Sequence, residues 1–189
     1  MIELLRDIEW NDSEAKVVIF SQFTSMLDLV EKSLIKHGMP NFIRYDGQMS
    51  VQQRSEAVDE FFADDDKRIF LASLKAGAVG LNLTRASIII MLDVWWNPAV
   101  EDQAIDRVHR IGQTRNVKVY RLTIARSIED RILALQENKR AVASGALGEG
   151  DFKPKGLSLR DLRFLFLGDP NNLNGDGKPK QEKPTLESI

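Results

Sequence analysis

Five short apolar runs, most of them rich in β-branched residues and all separated by segments of helical period, constrain this chain more than anything else in it. The runs are Lys16-Val-Val-Ile-Phe20, Phe42-Ile-Arg-Tyr45, Arg68-Ile-Phe-Leu-Ala72, Ile88-Ile-Ile-Met-Leu92 and the alternating Val117–Thr123. Such runs read as strands, the continuous ones buried on both faces. The segments between them read as helices. Ser25-x-x-Asp28 resembles a capping box that opens a helix with Leu27, Val30 and Leu34 inward, stopped by Gly38 and Pro40. Ser50-x-x-Gln53 opens a second, with Val51, Val58, Phe61 and Phe62 as its buried stripe. Ser127-x-x-Asp130 opens another, with Ile128, Ile132 and Leu135 inward. Strand–helix alternation at this spacing predicts an α/β fold with a parallel sheet covered by helices on both faces.

The flanks are simpler. Ile2, Leu5 and Ile8 stand at helical spacing ahead of the first strand. Residues 141–156 are small and Gly-rich and read as a linker, Leu157–Leu167 reads as a short docking helix, and the Asn-, Gly-, Pro- and Lys-rich remainder reads as disordered. This divides the chain into an N-terminal helix and linker (1–15), a lobe (16–145), a linker with a docking helix (146–168) and a tail (169–189). No apolar run reaches the roughly 18 residues that a membrane span needs. There is no cysteine, and two isolated histidines, His37 and His109, make no metal cluster. The formal net charge is −2, so an anionic partner must be met by a local patch; residues 101–126 carry six basic against three acidic side chains.

The richest chemistry lies between Asn97 and Gln113. Asn97 is a good N-cap, Pro98 suits the first helical position, and Gly112 supplies a stop. Over that span Val100, Ala104, Val108 and Ile111 form a core stripe. Gln103, Arg107 and Arg110 project together from a second face, within roughly 60° of arc. Two guanidiniums and an amide on one rigid face suit polyanionic oxygens, although a solvated helix surface would read the same way. In an open parallel sheet ligands gather at the carboxyl ends of strands. Ser21-Gln22-Phe23, Asp46-Gly47, Ser73–Gly80 and Asp93–Pro98 should therefore share one edge. Gly77 and Gly80 would let backbone approach a ligand there, or simply make a tight turn. Trp95 and Trp96 could stack on a base or pack at a strand end.

Asp102-Gln-Ala-x-Asp-Arg-x-His-Arg-Ile-Gly-Gln113, preceded by Trp95-Trp96-Asn97-Pro98, resembles the last helicase motif of the Swi/Snf-like ATPases, DNA translocases of helicase superfamily two. Lys75-Ala-Gly-Ala-Val-Gly-Leu-Asn-Leu-Thr84 is similar to another motif of that family, with Ala78 where a second glycine is usual. Phe20–Phe23, Tyr45–Gly47 and Gln53–Phe61 follow in the family's order. Ser127–Leu133 resembles the helix leading to the family's brace, and Leu157–Leu167 is loosely similar to the fungal branch that acts in DNA repair and SUMO-directed turnover.

The resemblance implies a RecA-like second lobe, with Arg107 and Arg110 as arginine fingers and Gln103, Gly80 and Asp106 near the nucleotide. It implies DNA contacts from Ser21, Gln22, Lys75, Gly77, Asn82 and Trp96. His109 would be a hydrogen-bonding scaffold. ATP would be shared with a first RecA-like lobe that also holds Mg²⁺, double-stranded DNA, free or nucleosomal, would be the partner, and the nucleus the location. The 189 residues contain no G-x-x-x-x-G-K-[ST] loop and no Asp-Glu box for Mg²⁺. The chain is therefore expected to be the second lobe of a longer ATPase, inactive alone. An RNA helicase lobe and a partner-binding module that keeps the fold are the alternatives.

Overall fold

The computed structural model describes residues 1–77, 81–146 and 157–167. Two compact units are present, Met1–Thr123 and Ile124–Ile189. In the first, five parallel strands, β1 (Val17–Ser21), β2 (Phe42–Tyr45), β3 (Ile69–Ser73), β4 (Ile88–Met91) and β5 (Lys118–Arg121), lie in the order β2-β3-β1-β4-β5. The helices are α1 (Ile2–Asn11), α2 (Thr24–Lys36), α3 (Val51–Ala63), the single turn α4 (Leu74–Gly77) and α5 (Pro98–Val108). The expected α/β sheet is therefore present, strand for strand.

Strand period 2 and crossover handedness together sort the core into two layers. The step from β1 to β2 runs one way along the sheet and the next three run the other way. Right-handed crossovers then put α2 on one face and α3, α4 and α5 on the opposite face. The side chains agree. Val17, Ile19, Leu71, Ile88 and Ile90 pack with Leu27, Val30 and Leu34 of α2 and with Leu5 and Ile8 of α1. Val18, Phe20, Phe70, Ala72, Ile89 and Met91 pack with Ala57 and Phe61 of α3 and Ala104 and Val108 of α5. Register fixes the layers, since Val18 lies between Phe70 and Ile89 and all three face one way. The helix at residues 2–11, set apart from the lobe in the sequence division, thus contributes to its core.

Three local readings are corrected. The helix after β1 begins at Thr24, with Phe23 at its N-cap and no side-chain cap. Asp28 instead joins Glu31 and Asp46 around Arg44, at 3.0, 2.9 and 2.8 Å, so a tertiary ion cluster takes the carboxylate that a capping box would need. In α3 the buried face is Ala57 and Phe61, with Val58 half-buried, while Val51 is 84% exposed and Phe62 lies at the solvent boundary. Phe61 packs tilted against Phe70 with ring centroids 4.9 Å apart, and one stripe cannot bury its immediate neighbour as deeply. The helix after β5, α6 (Ile128–Ala146), runs six residues into the segment read as a linker.

The α3 capping box itself is complete. Ser50 Oγ accepts from the Gln53 amide at 3.2 Å and Gln53 Oε1 accepts from the Ser50 amide at 2.8 Å. Ser50→Ala removes one half of that exchange and should cost about 1 kcal/mol of stability, read as a lower denaturant midpoint at unchanged slope.

In the second unit α6 pairs with α7 (Leu159–Leu167). Arg131 donates to the carbonyls of Leu165 and Phe166 at 2.9 and 3.2 Å, satisfying the open end of α7, and Leu135 and Leu165 are buried. Ile128, expected inward, is 42% exposed. Residues 147–156 and the tail from 168 lie outside the described residues.

Candidate nucleotide and nucleic-acid interface

β1 and β4 are neighbours whose following helices lie on opposite faces, so the crevice at their carboxyl ends is the switch point of the sheet. Asp93 organises it. Its carboxylate accepts from Ser21 Oγ at 2.5 Å and from the Gln22 amide at 3.0 Å, tying the β1–α2 turn to the β4–α5 loop. Ser21 is fully buried, and its oxygen also accepts from the Phe23 amide at 3.0 Å. Ser21, expected to touch DNA, has its hydroxyl committed inside the protein, where it shapes the turn. Gln22 is half-buried beside it. Lys75, on the single turn after β3, is exposed. Trp96 is half-buried against Trp95, with ring centroids 5.9 Å apart. Asp46 is buried, accepting from the Gln48 amide and from Arg44, and holds its own turn.

Glu101 supports the Trp95–Trp96 loop from below. It is fully buried, accepts from the Trp95 amide at 2.9 Å through Oε1, and receives Arg121 Nε at 3.0 Å on Oε2. Asn97 Oδ1 accepts from the Ala99 amide at 3.2 Å, and Pro98 occupies the first helical turn, as the sequence predicts.

The far end of α5 differs from expectation. The helix stops at Val108, not at Gly112. Its last carbonyls are taken by tertiary donors: the Leu83 amide reaches Arg107 O at 2.8 Å, and Gln113 Nε2 reaches Val108 O at 3.2 Å and Ala86 O at 2.7 Å. A continuing helix would have to displace both. Arg110 and Ile111 therefore sit in a turn closed by Gly112 at φ 103°, and Ile111 is 100% exposed instead of completing the core stripe. Arg107 keeps its helical position, half-buried, and Gln103 and Asp106 are exposed on α5.

Neither Arg107 nor Arg110 has a carboxylate partner among the described residues, and Arg107 Nε is buried with no hydrogen-bond partner. Arg44, Arg68, Arg85, Arg115 and Arg121 of the same unit each pair with at least one, while Arg6 and Arg54 form no such pair among the described residues and Arg54 donates to the Gly47 carbonyl at 3.1 Å. Two unpaired guanidiniums on a braced helix end and turn are a fitting receptor for phosphate oxygens. A metal has no such receptor, since no group of three His, Cys, Asp or Glu side chains among the described residues could hold one.

The four segments expected at one edge follow β1 to β4 at their carboxyl ends, Ser73–Gly80 as far as Gly77, and Arg107 and Arg110 make a second region. Helix α5 follows β4 and precedes β5, so it runs back along the sheet and carries Arg107 roughly 14 Å from its start. Gln22, Lys75 and Trp96 belong to the carboxyl edge. Arg107 and Arg110 belong to the opposite end of α5. Asn82, expected with Lys75, is exposed next to Leu83, whose amide is bonded to Arg107. The chain from α4 to β4 joins the two regions. Gly77 closes α4, and Gly80 lies outside the described residues. Sequence reading missed Asp93 and Glu101 as organisers because their partners lie 72 and 20 residues away.

Comparison with known proteins agrees with this picture. The profile of the helicase conserved C-terminal domain matches residues 1–112. The chain is 52% identical over 165 residues to the helicase-like transcription factor CHR28 of Arabidopsis thaliana, across 86% of this chain and 17% of that protein. It is 43% identical over 177 residues to the DNA repair protein RAD5 of Cryptococcus neoformans, across 93% and 15%. The chain spans less than a fifth of the length of these curated relatives. Among solved structures it is similar to the C-terminal part of the Fun30 ATPase domain, with a TM-score of 0.67 and 41% identity over 71% of this chain and 42% of that one. Motif, sheet order and these likenesses agree: the chain belongs to the helicase C-terminal domain family, as the second RecA-like lobe of a Swi/Snf-like helicase.

Proposed function

We propose that the chain works as one half of an ATP-driven motor on double-stranded DNA, of the chromatin-remodelling and DNA-repair kind, in the nucleus. The observation that carries this reading is the pair Arg107 and Arg110, left without carboxylate partners at a braced helix end. A bound nucleotide would supply the phosphoryl group and its charge. Arg107 and Arg110 would meet the phosphate oxygens, with Gln103 and Asp106 orienting beside them, while the phosphate-cradling loop and Mg²⁺ would belong to a first lobe. Gln22, Lys75 and Trp96 would grip the DNA backbone at the carboxyl edge. Such contacts carry no base information. Asn82 is better assigned to the link between the two regions than to DNA. A shift of the Arg107 backbone toward nucleotide would pull on Leu83 through the hydrogen bond that the Leu83 amide donates to the Arg107 carbonyl.

The isolated chain should turn over no ATP, with or without DNA, and should bind duplex DNA weakly and without sequence preference. Affinity should fall as salt rises, because counterion release supplies most of the binding, and Lys75→Ala should weaken it further. When the chain is joined to a first lobe, duplex DNA should stimulate turnover. Tight binding indifferent to salt, a strong preference for one sequence, or stimulation by RNA and not DNA would overturn the reading.

A further inference from the structure

At the amino edge of the sheet, four basic side chains stand in strand order. Arg68 immediately precedes β3 and Lys16 immediately precedes β1, while Arg85 and Arg115 lie three residues before β4 and β5. With strands about 4.8 Å apart, the row spans about 14 Å. All four line one cavity of about 370 Å³ together with Glu14 and Asp65, and Glu9 and Asp12 reach two of the arginines from outside its lining.

Lys16 forms the floor. It is buried, its Nζ donates to the carbonyls of Phe61 and Asp64 at 2.6 Å each, and it lies 4.9 Å from the Phe61 ring centroid. These bonds close the C-terminal end of α3. Burial lowers the Lys16 pKa, Asp65 opposes that shift, and Arg85 adds to it. The three arginines form the rim. Each is held by a carboxylate on the solvent side: Arg68 by Glu9 at 3.0 Å, Arg85 by Asp65 at 2.6 Å, and Arg115 by Asp12. Asp65 is 80% exposed, and ion pairs of this kind contribute about 0–1 kcal/mol. Arg68 Nε is buried and has no partner at all. A tetrahedral oxyanion that accepts from several guanidiniums at once would displace the weak single partners.

We propose that Arg68, Arg85 and Arg115, ranged over the Lys16 floor at the amino ends of β3, β4 and β5, form a binding site for phosphate groups distinct from the α5 arginines. The ligand chemistry is a phosphate oxyanion, carried by a nucleic-acid backbone or by a small free phosphate. A row of donors, in place of a single closed pocket, suits consecutive phosphodiesters.

The test uses the 189-residue chain, titrated with inorganic phosphate and separately with a short DNA duplex, while the Nε–Hε signals of its arginines are followed by NMR. Phosphate should shift the signals of Arg68, Arg85 and Arg115. Arg85→Gln combined with Arg115→Gln should weaken phosphate binding at least tenfold. Lys32→Gln combined with Lys36→Gln, which removes the same charge from the exposed side of α2, should change it less than twofold. If the duplex shifts the same three signals at lower concentration than phosphate does, the source is a nucleic-acid backbone. If phosphate shifts them and the duplex does not, the source is a free phosphate. The proposal fails if neither ligand moves the three signals in the unaltered chain, or if the lysine pair matters as much as the arginine pair.

Discussion

Arg107→Ala and Arg110→Ala, each placed in an enzyme where this lobe faces a first lobe, should lower DNA-stimulated ATP turnover by roughly 10³–10⁵, the range an arginine finger contributes in other phosphoryl-transfer systems. Charge builds on the transferring phosphoryl oxygens, and a guanidinium held in place beside them stabilises it without reorganisation. Lys at either position should rescue poorly, because a compact ammonium cannot reproduce the planar fork. Stability should scarcely change for Arg110→Ala, since that side chain is exposed in the turn beyond the helix. Arg107→Ala should cost little more, because the bond that matters to the fold is made by its backbone carbonyl to the Leu83 amide. DNA affinity should stay within a few-fold, because the proposed grip lies at the other end of α5. A brace role predicts the reverse: lower melting temperature with normal turnover per folded molecule. Melting temperature and turnover, measured on the same variants, separate the two, and a stable variant with unchanged turnover would overturn the assignment.

What could be read in advance follows the range of the interactions involved. The strands were legible because a buried parallel strand is apolar at every position, as at Val17–Phe20 and Ile88–Met91, and no partner need be known to see it. The Ser50–Gln53 capping box was legible because both halves lie within three residues. The Ser25–Asp28 pair has the same local pattern and fails, since Arg44, from a distant strand, claims Asp28. The α3 stripe was misphased for a similar reason. Phe61 and Phe62 are indistinguishable by composition, and only Phe70 on β3 decides which ring is enclosed. The candidate site shows the same division. The residue types of the Asn97–Gln113 motif were evident, but where α5 ends was not. That end is set by Leu83 and Gln113 reaching its last carbonyls, so the helical face drawn through Arg110 and Ile111 does not exist. Charge counting found the excess over residues 101–126 and could not find the row at the amino edge. Lys16, Arg68, Arg85 and Arg115 are scattered through a hundred residues and meet only through strand order.

Glu101→Ala should be the most damaging single change to the architecture of the site. Glu101 sits in the first turn of α5, where a negative charge is favoured by the helix dipole, and it is fully buried. Its two oxygens take the Trp95 amide and Arg121, so one side chain fixes the loop before the helix and the strand after it. Truncation takes this acceptor from the part-buried Trp95 amide and the carboxylate partner from the Arg121 guanidinium. Breaking a buried pair from one side costs about 3–5 kcal/mol. Arg121 is 30% exposed and can recover some hydration, which places the expected loss near the lower figure, on the order of a 10 °C fall in melting temperature. Glu101→Gln keeps the shape and an acceptor for Trp95 while weakening the hold on Arg121, so it should lose less than half as much. Asp106→Ala, an exposed carboxylate on the same helix, should stay within about 0.5 kcal/mol. In the intact enzyme Glu101→Ala should lower the stimulation by DNA more than the turnover without it, because the Trp95–Trp96 loop is released while Arg107 keeps its bond to Leu83. Equal losses in both rates would make Glu101 a general brace, and a melting temperature for Glu101→Ala equal to that of Asp106→Ala would show that the buried carboxylate holds nothing.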